Sequence, residues 1–323
     1  TDNLVRTEFD NGAVYVLGTS FSTDLPVTVG NFLNDPVQNG FITKFSQTNL
    51  DISYARYLGG FGSDFITASK LDNGILHVGG YTYSVGFPVT NGTTAAISGL
   101  DFSDGFYTRL DSNGNIIYST YLATNDLDMM SALTIANGNV YIMAERGFNA
   151  INGERKVIVF KLTSSGGIVY SKKLNLGFGN TNSISFQTLN DDFYVSGICQ
   201  SAAYPTTNGS QFFSGGTGFF TRLDAAGNIV YSSFLGKMSG LQPMKIANGK
   251  FHLLANSDVL SYPISDQSVI AGSTDNILII KQPDGSNVYS GYIGGINAEL
   301  ASALEPNGDD VYIAGKTSSE NFP

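Results

Sequence analysis

Few groups in this chain could do chemistry. There are 2 histidines and 1 cysteine among 323 residues. A Ser-His-Asp triad or a histidine-held metal would have to use His77 or His252. GGFGSDFIT at 59–67 matches the calcium nonapeptide G-G-x-G-x-D-x-U-x, with Asp64 in the aspartate position. DSNGN at 111–115 begins like an EF-hand loop. Five cations, Lys44, Arg109, Lys161, Arg222 and Lys281, recur at similar intervals and could gather an anion. Carboxylates at Asp64, Asp101, Asp104, Asp126 and Asp128 fall in the connections between periodic segments. CxxC, HExxH, the P-loop, GxSxG and GxGxxG are all missing from the sequence.

Comparing the chain with itself removes most of these candidates. DGFYTRLDSNGNIIYSTYL at 104–122 returns as TGFFTRLDAAGNIVYSSFL at 217–235. Weaker copies read GFITKFSQTNLDISYARYL (40–58), VIVFKLTSSGGIVYSKKL (157–174) and NILIIKQPDGSNVYSGYI (276–293). Anchored on Phe41, Phe106, Ile158, Phe219 and Leu278, they are spaced by 65, 52, 61 and 59 residues. On this alignment His77 and His252 fall in a column otherwise filled by Tyr15, Tyr141, Tyr194 and Tyr312, so they read as scaffold. The five cations share a column in the outer part of the repeat, where packing of their stems and local ion pairing account for them. The nonapeptide occurs once, whereas the calcium motif works only in tandem, so no metal is expected at Asp64. DSNGN has glycine at its fourth position and Leu122 at its twelfth, and reads as a hairpin turn. Cys199 reads as a small buried hydrophobe.

The elements that must position these residues are hairpins. A second half-repeat fills each gap, as in ITASKLDNGILHVGGYTYSVGFP. Asn-Gly stands at 11–12, 73–74, 137–138, 248–249 and 307–308. Asn-Gly between alternating apolar runs marks a two-residue hairpin, because both residues tolerate positive φ. Helical periodicity is nearly absent. Two hairpins per repeat of about 59 residues make a four-stranded propeller blade, longer than the roughly 40–50 residues of common blades. The expected fold is all-β: a propeller of about five and a half blades, part of a ring of six to eight.

The pattern GFxT[RK]LDxxGNIxYSxYL followed by [FY]PxTNG resembles the bacterial β-propeller repeat often called SBBP, over essentially the whole chain. Each copy keeps a tyrosine, at Tyr54, Tyr118, Tyr170, Tyr231 and Tyr289. The third copy departs with RGFNAING and the fifth with IIKQPDGSN. The resemblance implies a propeller within large secreted or cell-surface proteins, and it does not imply an enzyme.

Each blade is phased so that an ITASKLD-type segment is strand A, LHVGGYT is B, FYTRLD is C and IIYSTYL is D. Pro243 fits an A strand with one unpaired edge. The blades are 1–58, 59–122, 123–174, 175–235, 236–293 and a partial 294–323. Completion of the ring by further residues of the same polypeptide or by a partner chain is expected.

The long, dissimilar B–C and D–A connections emerge on one face and are where binding is expected. The candidate ligand residues are Asp64, Tyr83, Phe87, Asp101, Asp104, Asp126 and Asp128. Short polar side chains beside aromatics suit a carbohydrate or a protein surface. The net charge of −10 and the lack of a basic stripe exclude a nucleic-acid partner. No apolar run reaches the roughly 18 residues of a membrane span. The expectation is a non-enzymatic binding, adhesion or spacer module, extracellular or at the cell surface, without cofactor. A propeller lyase or hydrolase with its site on that loop face is the alternative, and a structural subunit of an envelope or secretion assembly is another.

Overall fold

The computed structural model describes residues 2–10, 12–30, 37–84, 86–90, 103–122, 128–146, 154–178, 184–212, 216–260, 262–266 and 268–323. Among them there are strands and turns and no α-helix. Contacts divide the chain into two compact units, Thr1–Asn152 with Val157–Lys173, and Gly153–Lys156 with Leu174–Pro323.

In the first unit, β1 (Asp2–Asp10), β2 (Ala13–Ser20), β3 (Asn39–Ser46) and β4 (Ile52–Leu58) form one antiparallel sheet in chain order. The next sheet is β5 (Asp64–Asp72), β6 (Ile75–Thr82), β7 (Asp104–Leu110) and β8 (Ile116–Leu122). Then come β9 (Asp128–Ala136), β10 (Asn139–Arg146), β11 (Glu154–Thr163) and β12 (Ile168–Phe178), also in sequential order. In the second unit the order repeats with β13 (Ser185–Leu189), β14 (Asp192–Cys199), β15 (Thr217–Leu223) and β16 (Ile229–Lys237). It continues with β17 (Lys245–Ala247), β18 (Lys250–Ser257), β19 (Asp275–Lys281) and β20 (Asn287–Ile293). The last sheet has two strands, β21 (Glu299–Asn307) and β22 (Asp310–Thr317). Five four-stranded meanders and one two-stranded sheet are propeller blades.

The A–B turns form as the Asn-Gly pairs dictate: Asn73 has φ 48° and Gly74 φ 77°. Pro243 limits its A strand to the three residues Lys245–Ala247.

Two recurring contacts explain what the repeat keeps. The first joins neighbouring blades. Three tyrosines of the YS column lie against the C–D turn glycine of the next blade: Tyr54 on Gly114, Tyr118 on Gly166, Tyr231 on Gly285. A side chain on any of these glycines would overlap the ring, and each has φ between 82° and 98°. The second contact closes the edge strand. The Thr or Ser of the FPxT segment bonds an edge residue twice. Thr207 N donates to Ser232 O at 2.8 Å, and Ser232 N donates to Thr207 Oγ1 at 2.8 Å. Thr28 with Ala55, Thr90 with Ser119, and Ser265 with Ser290 do the same. The start of each of these B–C connections is therefore an edge guard, not a free binding loop.

Candidate functional site

The predicted ligand residues separate by role. Asp64 is fully buried at the start of β5. Its carboxylate accepts hydrogen bonds from Thr82 Oγ1 (2.5 Å), Ser84 Oγ (2.8 Å) and Gly60 N (3.0 Å). The contact recurs. Asp2 accepts from Ser20 and Ser22, and Glu299 from Thr317, Ser319 and Gly295 N. This is a staple tying the D–A turn to the end of strand B, so the repeat explains Asp64 without a ligand. Burial pushes its carboxyl up to about 6, against the pull of the three donors.

Phe87 is a core residue, its ring 4.4 Å from Phe106 and 6.0 Å from Tyr121. Asp104 is buried at the start of β7, opposite Thr82, so it gathers with Asp64 and Phe87 around the end of β6. Tyr83 stands in a half-exposed aromatic group with Phe65 and Tyr81, at 6.4 and 6.1 Å. Asp101 and Asp126 lie outside the described residues, as does the side chain of Asp128, whose backbone opens β9.

Both histidines of the column are buried. His77 is buried, its Nδ1 2.7 Å from Tyr107 Oη, and burial, then Arg109, lowers its pKa to about 4. Asp111 is used by its own turn, accepting from Asn113 N, Asn115 N and Asn115 Nδ2.

The cation column needs a correction, and it exposes the site. Lys44, Arg109 and Arg222 pair across their sheets with Tyr15, His77 and Tyr194. The residue opposite His252 is Ile280. Lys281 is one residue further on, and a one-residue shift turns a side chain to the other face of the sheet. It therefore occupies the column of Leu110, Leu162 and Leu223, all fully buried. The signal was available: Arg109, Lys161 and Arg222 each stand five residues before the turn glycine, whereas Lys281 stands four before Gly285.

Lys281 is 2% exposed. Its Nζ donates to Gly285 O at 2.9 Å and to Asn287 Oδ1 at 2.8 Å, and the Tyr262 hydroxyl donates to the same Oδ1 at 2.5 Å. The rings of Phe220, Tyr231 and Tyr262 surround the nitrogen at 5.7–5.9 Å. Desolvation lowers its pKa to about 8, and burial raises that of Tyr262 to about 12. Lys281 forms part of the wall of a pocket of about 510 Å³. Tyr231, Phe234 and Tyr262 are apolar surfaces there, and Asn208, Ser210, Gln211, Ser233 and Asn287 supply amide and hydroxyl groups. Among the described residues no carboxylate lines it.

No known family model matches the chain. Regulatory protein FlaEY of Caulobacter vibrioides is 29% identical over 121 residues, which is 36% of this chain and 12% of that protein. The chain thus spans about an eighth of that relative. Among solved structures, an apocarotenoid oxygenase of Synechocystis aligns with 90% of this chain and 67% of its own, at 11% identity and TM-score 0.39. An α-L-arabinofuranosidase from Clostridium thermocellum aligns over 90% and 94%, at 10% identity and TM-score 0.34. A subtype N10 neuraminidase-like protein of bat influenza A aligns over 96% and 90%, at 11% and 0.40. The expectation of a non-enzymatic module is corrected by this finding, because solved chains of this architecture include an oxygenase and an arabinofuranosidase. The likeness concerns the fold and assigns no reaction.

Proposed function

We propose that the chain is a propeller lyase acting on uronate-containing saccharides in the pocket around Lys281. The observation that carries this reading is a buried lysine in a column of leucines, poised near pH 8 in a pocket walled by tyrosines and amides. Aromatic faces with amide and hydroxyl groups suit a sugar ring. Glycoside hydrolysis ordinarily needs two carboxyl groups flanking the bond, and among the described residues this pocket has none, which favours elimination.

In that step the Lys281 amine takes the sugar C5 proton, α to the uronate carboxylate. The electron pair forms the C4–C5 double bond, the C4–O bond breaks, and the Tyr262 hydroxyl gives its proton to the departing oxygen. Asn208 and Gln211 at the pocket mouth hold the carboxylate. Proton exchange with solvent restores both groups. The high pKa of Tyr262 keeps it protonated for this role, and the lowered pKa of Lys281 makes the free amine available. The recurrent YS tyrosines and FPxT guards support the SBBP-type repeat, and a place outside the cell or at its surface rests on that resemblance.

The test is a panel of uronate polysaccharides assayed for the ultraviolet absorbance of the unsaturated product. Turnover should rise with pH through about 8 and fall at least 100-fold, a general-base contribution, in Lys281→Gln and Tyr262→Phe. Absence of product from every polymer, or product indifferent to both substitutions, would overturn the reading.

A further inference from the structure

The Lys281 nitrogen has a free direction. Its two hydrogen-bond acceptors are Gly285 O at 2.9 Å and Asn287 Oδ1 at 2.8 Å. A neutral amine has two hydrogens, so these bonds use both, and the last tetrahedral position holds the lone pair. No third acceptor meets Nζ among the described residues, and the nearest rings stand 5.7–5.9 Å away. The lone pair is left for the pocket whose wall Lys281 helps to form, a cavity of about 510 Å³. Ser233 makes the room. It stands two residues after Tyr231, as Arg56 stands two after Tyr54. There the Arg56 guanidinium is buried and donates to Gly114 O, the counterpart of Gly285 O. A turn carbonyl can thus be capped without a cavity, whereas Lys281 caps its own beside an open one.

We propose that this pocket captures hydroxyaryl aldehydes as an imine on Lys281. A desolvated lysine amine is a nucleophile towards carbonyl carbon. The lone pair attacks the aldehyde carbon, and one amine proton passes to the carbonyl oxygen to give the carbinolamine. The Tyr262 hydroxyl, which shares Asn287 Oδ1 with the amine, protonates the new hydroxyl. Water leaves as the nitrogen pair forms the C=N bond, and the tyrosinate takes the second N–H proton. Amine and aldehyde become imine and water with no change of oxidation level. The lining selects the class. Tyr231, Phe234 and Tyr262 offer ring faces to a flat body, and Asn208 and Gln211 offer amides to a hydroxyl at its far end. A nitrogen 2% exposed has room for a carbonyl carbon with one substituent, an aldehyde and not a ketone. The capture needs the amine and the pocket but not the elimination proposed above, and the two are read by different signals.

The probe is 4-hydroxybenzaldehyde, added to the intact chain at pH 7 with cyanoborohydride, which reduces an imine to a stable secondary amine. Peptide mapping by mass then reads the hydroxybenzyl group at each lysine. Lys281 should be labelled at least tenfold faster than Lys70 and Lys316, which are exposed. Its pKa of about 8 leaves roughly a tenth of it as free amine at pH 7, against less than about one in a thousand for an ordinary lysine. Ser233→Arg, which fills the cavity and leaves Lys281 in place, should slow labelling of Lys281 at least tenfold and leave Lys70 and Lys316 unchanged. Labelling of Lys281 in the wild-type chain no faster than of Lys70 would overturn the inference, whatever the variant does. So would labelling indifferent to Ser233→Arg, or a preference at Lys281 for glyceraldehyde over the aromatic aldehyde.

Discussion

Asp275 and Glu299 are two buried carboxyl groups that meet beneath Gly294. A methyl group placed on Gly294 would touch both, at 2.5 Å from Asp275 Oδ1 and 2.7 Å from Glu299 Oε2. Glu299 accepts from Thr317, Ser319 and Gly295 N, which holds its pKa below the usual range against the opposing effect of burial. Burial and then the Glu299 charge raise the pKa of Asp275. The same place between the first two blades holds Asn39 and Asp64. There Asn39 turns its Oδ1 to this place and donates its Nδ2 to Val37 O at 3.3 Å.

Asp275→Asn should therefore stabilise the chain at neutral pH. A carboxyl whose folded pKa is raised favours the fold below its ordinary range, and that contribution is lost as pH rises through the folded value. The asparagine donates at every pH. Denaturant midpoints should favour the variant by about 1–3 kcal/mol at pH 7.5, the range for a hydrogen bond to a charged group, and the gap should shrink towards pH 4.

Asp64 shifts stability in the same direction. Its pKa of about 6 lies above the model-peptide value of 3.8. Its contribution is complete below that lower value and is lost as pH rises through about 6, by about 3 kcal/mol for a two-unit shift. The thermal midpoint should fall between pH 5 and pH 7.5. Asp64→Asn should flatten that slope, and an unchanged slope would remove Asp64 as its source.

Much of the scaffold was legible because strand periodicity and Asn-Gly turns are local signals. Tyr54, Tyr118 and Tyr231 were visible as a column, but their glycine partners were not, since nothing in one strand says what its neighbour presents. The site was hidden for a related reason. Aligning blade five on Leu278, not on its turn glycine, turned Lys281 to the wrong face and made an exception look like a member of the set. At Asp64 the solitary copy already argued against the calcium motif, but the staple itself shows only where Thr82 and Ser84 converge on the carboxylate.

Thr207→Val should leave the edge of β16 unguarded. The isosteric change keeps the backbone bond from Thr207 N to Ser232 O but removes the acceptor for Ser232 N. Leaving that donor unpaired costs about 1–3 kcal/mol when water cannot replace the bond. Exchange of the Ser232 amide should speed up far more than that of Phe220 in the adjacent strand. Equal acceleration throughout the blade would mean the threonine acts on the whole sheet and not as an edge guard.

Lys281→Leu should separate stability from function. Leucine restores the apolar column of Leu110, Leu162 and Leu223, and it removes a charge whose desolvation lowers its pKa to about 8. Replacing a buried charged group by an apolar residue of similar size is often neutral or stabilising by about 1–4 kcal/mol. The loss of donors to Gly285 O and Asn287 Oδ1 opposes this, and the Tyr262 hydroxyl still satisfies the latter. The pH dependence gives the second check. A lysine with a lowered folded pKa makes the fold more stable as pH rises from about 8 towards 10.5, because the unfolded chain binds the extra proton. The leucine variant should lose that rise, melt at or above the wild-type temperature at pH 7, and have no elimination activity. A variant several degrees less stable at pH 7 would assign Lys281 to the scaffold, as the cap of the Gly285 carbonyl that Arg56 provides for Gly114.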